Sequence, residues 1–506
     1  MMLSQQPLKA AEPKILSATD SETNKHWKNM NLQKKLIPVC IAALLCVPAF
    51  SAQQSQVKPN IILVMADDLG WKELGSYGQT KIRTPHLDKM AKEGMRFTQF
   101  YAGAPVCGPT RCNLMTGKHA GHAVIRANGE IRSNEHTKNG ATIFGGQTPL
   151  PSDEITIAEV LKSKGYATGC FGKWGLGIGG STGDPLKKGF DRFYGYNCQR
   201  HAHNYYPKYL NDDDTLVFLE GNTREATGKH YAPQLIADEM LKFVKKNRNK
   251  PFFVYYPTTI PHTPLQIPEK EIEAYSEWND GSTKGKNRAI YAAMVSFMDK
   301  QMGRLFAQLK ELNIDDNTIV LFTSDNGTTF LGAVDHRFFN SVGELRGLKG
   351  SVYEGGIREP LIARWPGKIP KGTTSDHISA LYDLAETCAQ VAQTKMPKNT
   401  DGISLLPTFL GKLDKQETHE FLIWDFAERY YGGQVALRMG DWKGLKRKML
   451  KNPDAALQLY NLKDDPNEKN DVARKHPEIV AEIEKLILQE RDRPKLKKFQ
   501  FGTYRD

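Results

Sequence analysis

The chain has 506 residues, 40% of them hydrophobic and 25% charged, with a formal net charge of +12. This composition excludes a disordered or low-complexity protein and supplies a large core with more than one domain. A basic balance suits polyanionic partners, but the Lys and Arg residues are spread out and no nucleic-acid motif accompanies them, so nucleic acid is not an expected partner.

Residues 36–50 are a short apolar run, preceded by Lys34 and Lys35 and followed by Ser51 and Ala52. That is the layout of a secretory signal, and it is too short for a spanning helix. We read 1–52 as leader and signal peptide, with Met30 as an alternative start. The expectation is an exported protein, periplasmic or secreted, with no transmembrane span in the mature chain. Five of the seven cysteines then remain: Cys107, Cys112, Cys170, Cys198 and Cys388. In an oxidising compartment some of them can pair, although their spacing matches neither a disulfide framework nor a zinc site.

Residues 60–66 form a continuous apolar run, as in a parallel strand buried on both faces. It ends in Asp67 and Asp68, adjacent carboxylates that a hard divalent cation could hold together or that could simply form a solvated Asx turn. A capped helix at 84–93 leads to a strand at 95–101 and then to Cys107-Gly-Pro-Thr-Arg-Cys-Asn-Leu-Met-Thr-Gly117. Pro109 suits the first turn of a helix whose unpaired N–H groups would face Cys107, and Arg111 adds a planar cation suited to an oxyanion. The stretch reads as a nucleophile in an anion cradle, against the ordinary alternative of a small buried cysteine.

A helix at 152–164 (Ile155, Ala158, Leu161) and a strand at 167–171 precede Lys173 in Gly-Lys-Trp-Gly-Leu-Gly. The loop 195–207 gathers Arg200, His201 and His203 among aromatic rings, which favours sugar and anion contacts over a metal site because no third ligand lies nearby. A strand at 251–257 runs into Pro261-His262-Thr263-Pro264, where His262 is a rigidly held proton donor. The longest helix, at 287–312, only packs. A strand at 318–323 ends in Ser324-Asp325-Asn326-Gly327, a second set of hard oxygen ligands. Beyond it come His336, a further candidate substrate contact, and a Gly-rich charged loop with Lys349, leading to a strand at 361–364. A helix at 379–391 closes this unit and 394–400 is a linker. A strand pair at 435–439 and 442–446, then the run 458–462 and a helix at 479–490, make a smaller domain, so the boundaries are 53–393 and 394–506.

Asp67, Asp68, Cys107, Lys173, His262 and Asp325 all follow predicted strands. In an open α/β sheet ligands bind outside the carboxyl ends of the strands, so one site can collect them. Cys-x-Pro-x-Arg followed by Thr-Gly also resembles the signature of the type I, formylglycine-dependent sulfatases of the alkaline-phosphatase superfamily, including bacterial polysaccharide sulfatases. Gly440-Asp441-Trp442-Lys443 and Leu459-Tyr460-Asn461-Leu462 look like that family's C-terminal subdomain.

The resemblance implies an α/β fold, a large mixed and mostly parallel sheet sandwiched by helices, with a smaller C-terminal antiparallel sheet plus helix. It implies hydrolysis of a sulfate ester on a sulfated carbohydrate. Cys107 would be converted to formylglycine by a formylglycine-generating or anaerobic sulfatase-maturating enzyme. Asp67, Asp68, Asp325, Asn326 and the modified Cys107 would hold one Ca2+, Arg111, Lys173 and Lys349 the sulfate, and His262 would be the general acid. One position departs: Gly175 stands where the family has a histidine that helps expel sulfate. His201, His203, water or Arg111 would have to replace it. Two rival readings are a phosphoester hydrolase of the same superfamily and a noncatalytic sulfated-glycan-binding protein.

Overall fold

Successive side chains of a strand point to opposite faces, and in β1 (Asn60–Asp67) both sets are apolar. Ile61, Leu63 and Met65 enter one core, and Ile62, Val64 and Ala66 enter another. Such a strand belongs in mid-sheet with helices on each side. The computed structural model, which describes residues 58–504, places it there; the leader and signal read at 1–52 lie outside the described residues.

The large sheet has eleven strands. After β1 come β2 (Met95–Tyr101), β3 (Ala167–Lys173), β4 (Arg192–Tyr196), β5 (Tyr209–Asp212) and β6 (Thr215–Phe218). They are followed by β7 (Phe252–Pro261), β8 (Thr318–Ser324), β9 (Arg358–Arg364), β10 (Thr373–Ser375) and β11 (Ser379–Ala380). Their order is β10-β2-β9-β8-β1-β7-β3-β4-β5-β6, with β11 also beside β2. The stretch β8-β1-β7-β3-β4 is parallel throughout, whereas β9 and β5 run against their neighbours.

Helices cover both faces. On the side of Ile61 lie α1 (Cys107–Thr116), α2 (Ile157–Ser163) and α3 (Asp383–Val391). On the side of Ile62 lie α4 (Pro85–Glu93), α5 (Ala232–Lys246) and α6 (Thr283–Glu311). Two expected helices start late. The capping box between Thr156 and Glu159 sets the start of α2, so Ile155 stays outside the helix and 41% exposed. Ser379 and Ala380 pair with β2, so α3 begins only at Asp383. The helix α5 was not expected, although Ile236, Met240 and Val244 give it a buried stripe.

Beyond residue 394, β12 (Leu422–Phe426), β13 (Gln434–Met439), β14 (Trp442–Arg447) and β15 (Gln458–Asn461) form an antiparallel sheet in that order. Its strand β12 escaped the sequence reading. Leu422, Trp424 and Phe426 share a core with Tyr101, Val106 and Tyr353, while Ile423, Val435 and Leu437 lie in one core with Ile483 of α7 (Pro477–Gln489). The small sheet therefore packs directly against the segment that carries the cysteine loop. No helix among the described residues is long and apolar enough to cross a membrane.

Candidate active site

Tyr101 ends β2, and the chain turns through small residues before α1 opens at Cys107. Thr110 closes this turn: its hydroxyl donates to the Ala104 carbonyl at 2.6 Å and accepts from the Ala104 N–H at 3.0 Å. Cys107 is thus the first residue of the helix and not its prelude, and Pro109 is the third. One orphan donor of this helix end, the Gly108 N–H, goes to Asn128 Oδ1 at 3.0 Å.

The strand ends bring their polar residues to Cys107. Its Sγ lies 3.4 Å from Asp67 Oδ1 and 3.6 Å from Lys349 Nζ. Lys173, the last residue of β3, reaches Asp67 Oδ2 at 2.6 Å. Arg111 sits 2.9 Å from Asp325 Oδ2 and 3.5 Å from Asp67 Oδ2, donates through Nη1 to the Lys173 carbonyl, and leaves Nε unpaired. Lys349 holds Asp68 at 2.7 Å. Asn326 donates to Asp68 Oδ1 at 2.8 Å while its own Oδ1 is buried without a partner.

Three acids and three bases buried this closely set one another's charge. Burial opposes ionisation of Asp67, but Lys173, His262, Arg111 and Lys349 outweigh it and hold this carboxyl well below the usual range. Burial raises Asp68, against the pull of Lys349 and with the repulsion of Asp67. Burial and then Asp67 push Asp325 up to about 7. Burial, reinforced by Asp67, pushes the Cys107 thiol up to about 12.

His262 Nδ1 donates to the Thr263 carbonyl, which leaves Nε2 3.6 Å from Asp68 Oδ2. Burial and the charge of Lys349 hold this imidazole well below its ordinary value. His203 stacks on it, ring centroids 4.6 Å apart and 12° from parallel. Both rings line a cleft of about 530 Å³ with Cys107, Asn128, Gln199 and Lys349.

All nine residues expected at the nucleophile, sulfate and metal positions meet here: Asp67, Asp68, Cys107, Arg111, Lys173, His262, Asp325, Asn326 and Lys349. The four expected substrate contacts separate. His203 faces the cleft. His201 does not: it is buried between Phe144, Tyr196 and Tyr209 and bonded to the Tyr209 carbonyl at 3.0 Å, and it serves packing. Arg200 is spent on Glu135 and Glu130, of which Glu130 lines the cleft. His336 lines a neighbouring depression. The five cysteines outside the leader are all free and buried, so none is paired.

Gln199 is the residue the sequence reading missed. It is 3% exposed, and neither its Nε2 nor its Oε1 has a partner. Gly175 lies against it: with φ +79°, a side chain there would be strained, and its Cβ would stand 2.8 Å from Gln199 Nε2 and 3.4 Å from Arg111 Cδ. The carboxamide thus fills the space in front of Gly175. Away from the cleft, His119, His122 and Glu490 also gather. There His119 Nδ1 accepts the Gly121 N–H at 3.1 Å, so its Nε2 carries the proton and is no metal donor.

Comparison with known proteins follows the same line. Residues 59–394 match the family model described as Sulfatase, and residues 346–493 match one described as N-sulphoglucosamine sulphohydrolase, C-terminal. The chain is 36% identical over 392 residues to the N-acetylgalactosamine-6-sulfatase of Rattus norvegicus, covering 75% of this chain and 70% of that protein. It is 27% identical over 538 residues to the N-acetylgalactosamine-6-O-sulfatase of Bacteroides thetaiotaomicron, covering 91% and 99%. The solved structure of Ps i-CgsB in complex with k-i-k-neocarrahexaose is similar at TM-score 0.70 and 30% identity, covering 87% of this chain and 94% of that one.

Proposed function

The chain belongs to the sulfatase family of the alkaline-phosphatase superfamily and is a sulfuric ester hydrolase, and from that premise we propose that it removes sulfate from a sulfated carbohydrate with a nucleophile made from Cys107. The observation that carries this reading is the set of three cations around Cys107: Lys349 lines the cleft with it at 3.6 Å, and Arg111 and Lys173 sit on Asp67, which is itself 3.4 Å from Cys107 Sγ. The sugar is supported by the relatives, which are named for N-acetylgalactosamine sulfates, and by the carrageenan-type ligand of the similar structure.

In this mechanism residue 107, oxidised to formylglycine by a maturation enzyme and hydrated by water, supplies a hydroxyl that gives its proton to water as it attacks sulfur and the S–O bond to the sugar breaks. His262 Nε2, bare in the resting protein because burial and Lys349 hold the imidazole low, takes up a proton when the anionic ester offsets the charge of Lys349 and gives it to the departing sugar oxygen. Arg111, Lys173 and Lys349 hold the sulfate oxygens as charge moves onto them. Residue 107 then releases sulfate and returns to the aldehyde when its second hydroxyl loses its proton to water. Export, expected from residues 1–52, belongs to the same proposal. The test couples peptide mass spectrometry at position 107 to sulfate release from a panel of sulfated glycans. Formylglycine with release is expected, and an unmodified cysteine from a host with a competent maturation enzyme overturns the reading.

Asp67, Asp68, Asp325 and Asn326 fit a hard cation: they offer only oxygen, two of the carboxyls are raised by burial, and the Asn326 Oδ1 is orphaned. We assign calcium to these residues and position 107. When bound, it polarises a sulfate oxygen. Dialysis against a chelator should lower the Tm together with activity, and calcium should restore both. A site filled to 100 times its Kd contributes about 2.7 kcal/mol, and a melting curve that chelation leaves in place removes the assignment.

Gln199 is assigned to the sulfate or the spare hydroxyl of residue 107, the role left open by Gly175. Gln199→Ala should lower kcat roughly 10- to 100-fold, about 1.4 to 2.7 kcal/mol, without lowering the Tm, since no hydrogen bond of the resting protein is lost. Initial rates beside a thermal melt read both; an unchanged kcat removes Gln199 from the site.

A further inference from the structure

A second depression of about 890 Å³ opens beside the cleft and shares Lys349, Tyr430 and Tyr431 with it. This volume lies within the range of ligand pockets, about 300 to 1,000 Å³. Tyr353 lies in its lining, with the guanidinium of Arg346 4.0 Å and that of Arg447 5.0 Å from the ring centroid. Arg337 and His336 line it as well.

These arginines keep their charge uncompensated, unlike several others on the molecule. Arg192, Arg200, Arg288 and Arg364 all end on carboxylates. Among the described residues no carboxylate pairs with Arg337, Arg346 or Arg447. Arg346 donates only to neutral acceptors, the Glu468 carbonyl at 2.7 Å and the Tyr460 hydroxyl at 3.4 Å. Each guanidinium is placed over the Tyr353 ring by a cation–π contact and keeps its charge with no carboxylate to neutralise it. A planar guanidinium fork left in this state suits sulfate or carboxylate. Tyr430 and Phe330, 75% and 42% exposed, add aromatic faces on which a sugar ring can lie.

We propose that this depression is a subsite for a second anionic sugar unit, so that the preferred substrate is an oligosaccharide or longer chain with at least two anionic groups and not a lone sulfated monosaccharide. The proposal rests on the reading of the Cys107 cleft as the sulfate-ester site, because the shared wall of Lys349, Tyr430 and Tyr431 is what places the second unit beside the first.

The test compares kcat/KM for N-acetylgalactosamine 6-sulfate with that for a chondroitin 6-sulfate tetrasaccharide and a carrageenan hexasaccharide. Wild type should favour at least one oligosaccharide by tenfold or more, and Arg337→Glu with Arg447→Glu should cut that ratio at least tenfold, mainly through KM. Arg447→Gln, which keeps the contact with Tyr353 but not the charge, gives a milder loss in the same direction and covers the case in which charge reversal prevents folding. A ratio near one in wild type, or a ratio the variants leave unchanged, overturns the proposal. Calorimetric binding of the same oligosaccharides to Cys107→Ala separates the two readings. Binding that the arginine variants abolish supports the subsite even if no sulfate is released from any substrate. Binding they do not alter, or no binding at all, defeats the subsite while leaving sulfate release from the monosaccharide to stand or fall alone.

Discussion

Alanine at position 107 abolishes sulfate release, by a factor on the order of 10⁴ or more, the scale on which enzymes lose a covalent nucleophile. The loss is complete because nothing nearby can replace it. Thr263 and Thr329 also line the cleft with hydroxyls, but the side chain set 3.4 Å from Asp67 and 3.6 Å from Lys349 is that of residue 107. Stability should barely fall. Relative to the unconverted protein, removing one buried sulfur costs about 1 kcal/mol of packing, and part of that returns because a thiol no longer lies against Asp67. Sulfate measured by ion chromatography, with a melting curve on the same sample, checks both halves. Activity within tenfold of wild type would mean that the nucleophile lies elsewhere.

Methionine at position 443 should destabilise the protein by about 3 to 5 kcal/mol, the cost of stripping the cation from a buried charge cluster. Lys443 Nζ is 2.8 Å from Glu354 and 2.9 Å from Glu468, and all three side chains are 0% exposed. Burial already raises Glu468 to about 7. Without the lysine Glu468 shifts further up, so the folded variant keeps a proton there that its unfolded chain gives up near the ordinary glutamate value of about 4.3. Glu354, which burial raises but Lys443, Arg358 and Arg438 together hold well below its ordinary value, still keeps two of those cations. Stability of the variant relative to wild type therefore falls as pH rises from about 6 to about 9, through the value of about 7 at which Glu468 gives up its proton in wild type and not in the variant. Denaturant titrations at the two ends of that window should show the larger deficit at the alkaline end. A deficit under 1 kcal/mol at both would show that the small sheet is held by its apolar faces alone.

The sequence was most readable where chemistry sits at the end of an apolar run. Asp67, Lys173 and Asp325 each end or follow a buried strand, so their meeting required only that the strands be parallel. The insertion of β9 between β8 and β2 has no local signature, because a strand records which faces are buried and not which neighbour it takes. The pair His201 and His203 shows the same limit at a single turn. On a strand, residues two apart share a side, but here a short helical turn covers Gln199–Ala202. Two residues apart then means about 200° of rotation, which sends His201 into the aromatic packing and His203 to His262. Gln199, one residue before Arg200, carried no charge to draw attention. Its importance lies in two orphaned atoms, and an orphan is visible only when the surroundings are known.

The depth of Cys107 also sets an order of events. At 2% exposure the thiol is closed to any other protein once the chain has folded. The strand that ends in Asp67 pairs with Thr318 to Ser324, more than 250 residues further along, so the pocket stays unbuilt while most of the polypeptide is still being made. Under the proposed conversion of Cys107, the enzyme that oxidised it would have to work on an extended chain and recognise a stretch of sequence. The interval open to it closes when the residues of the last central strand arrive.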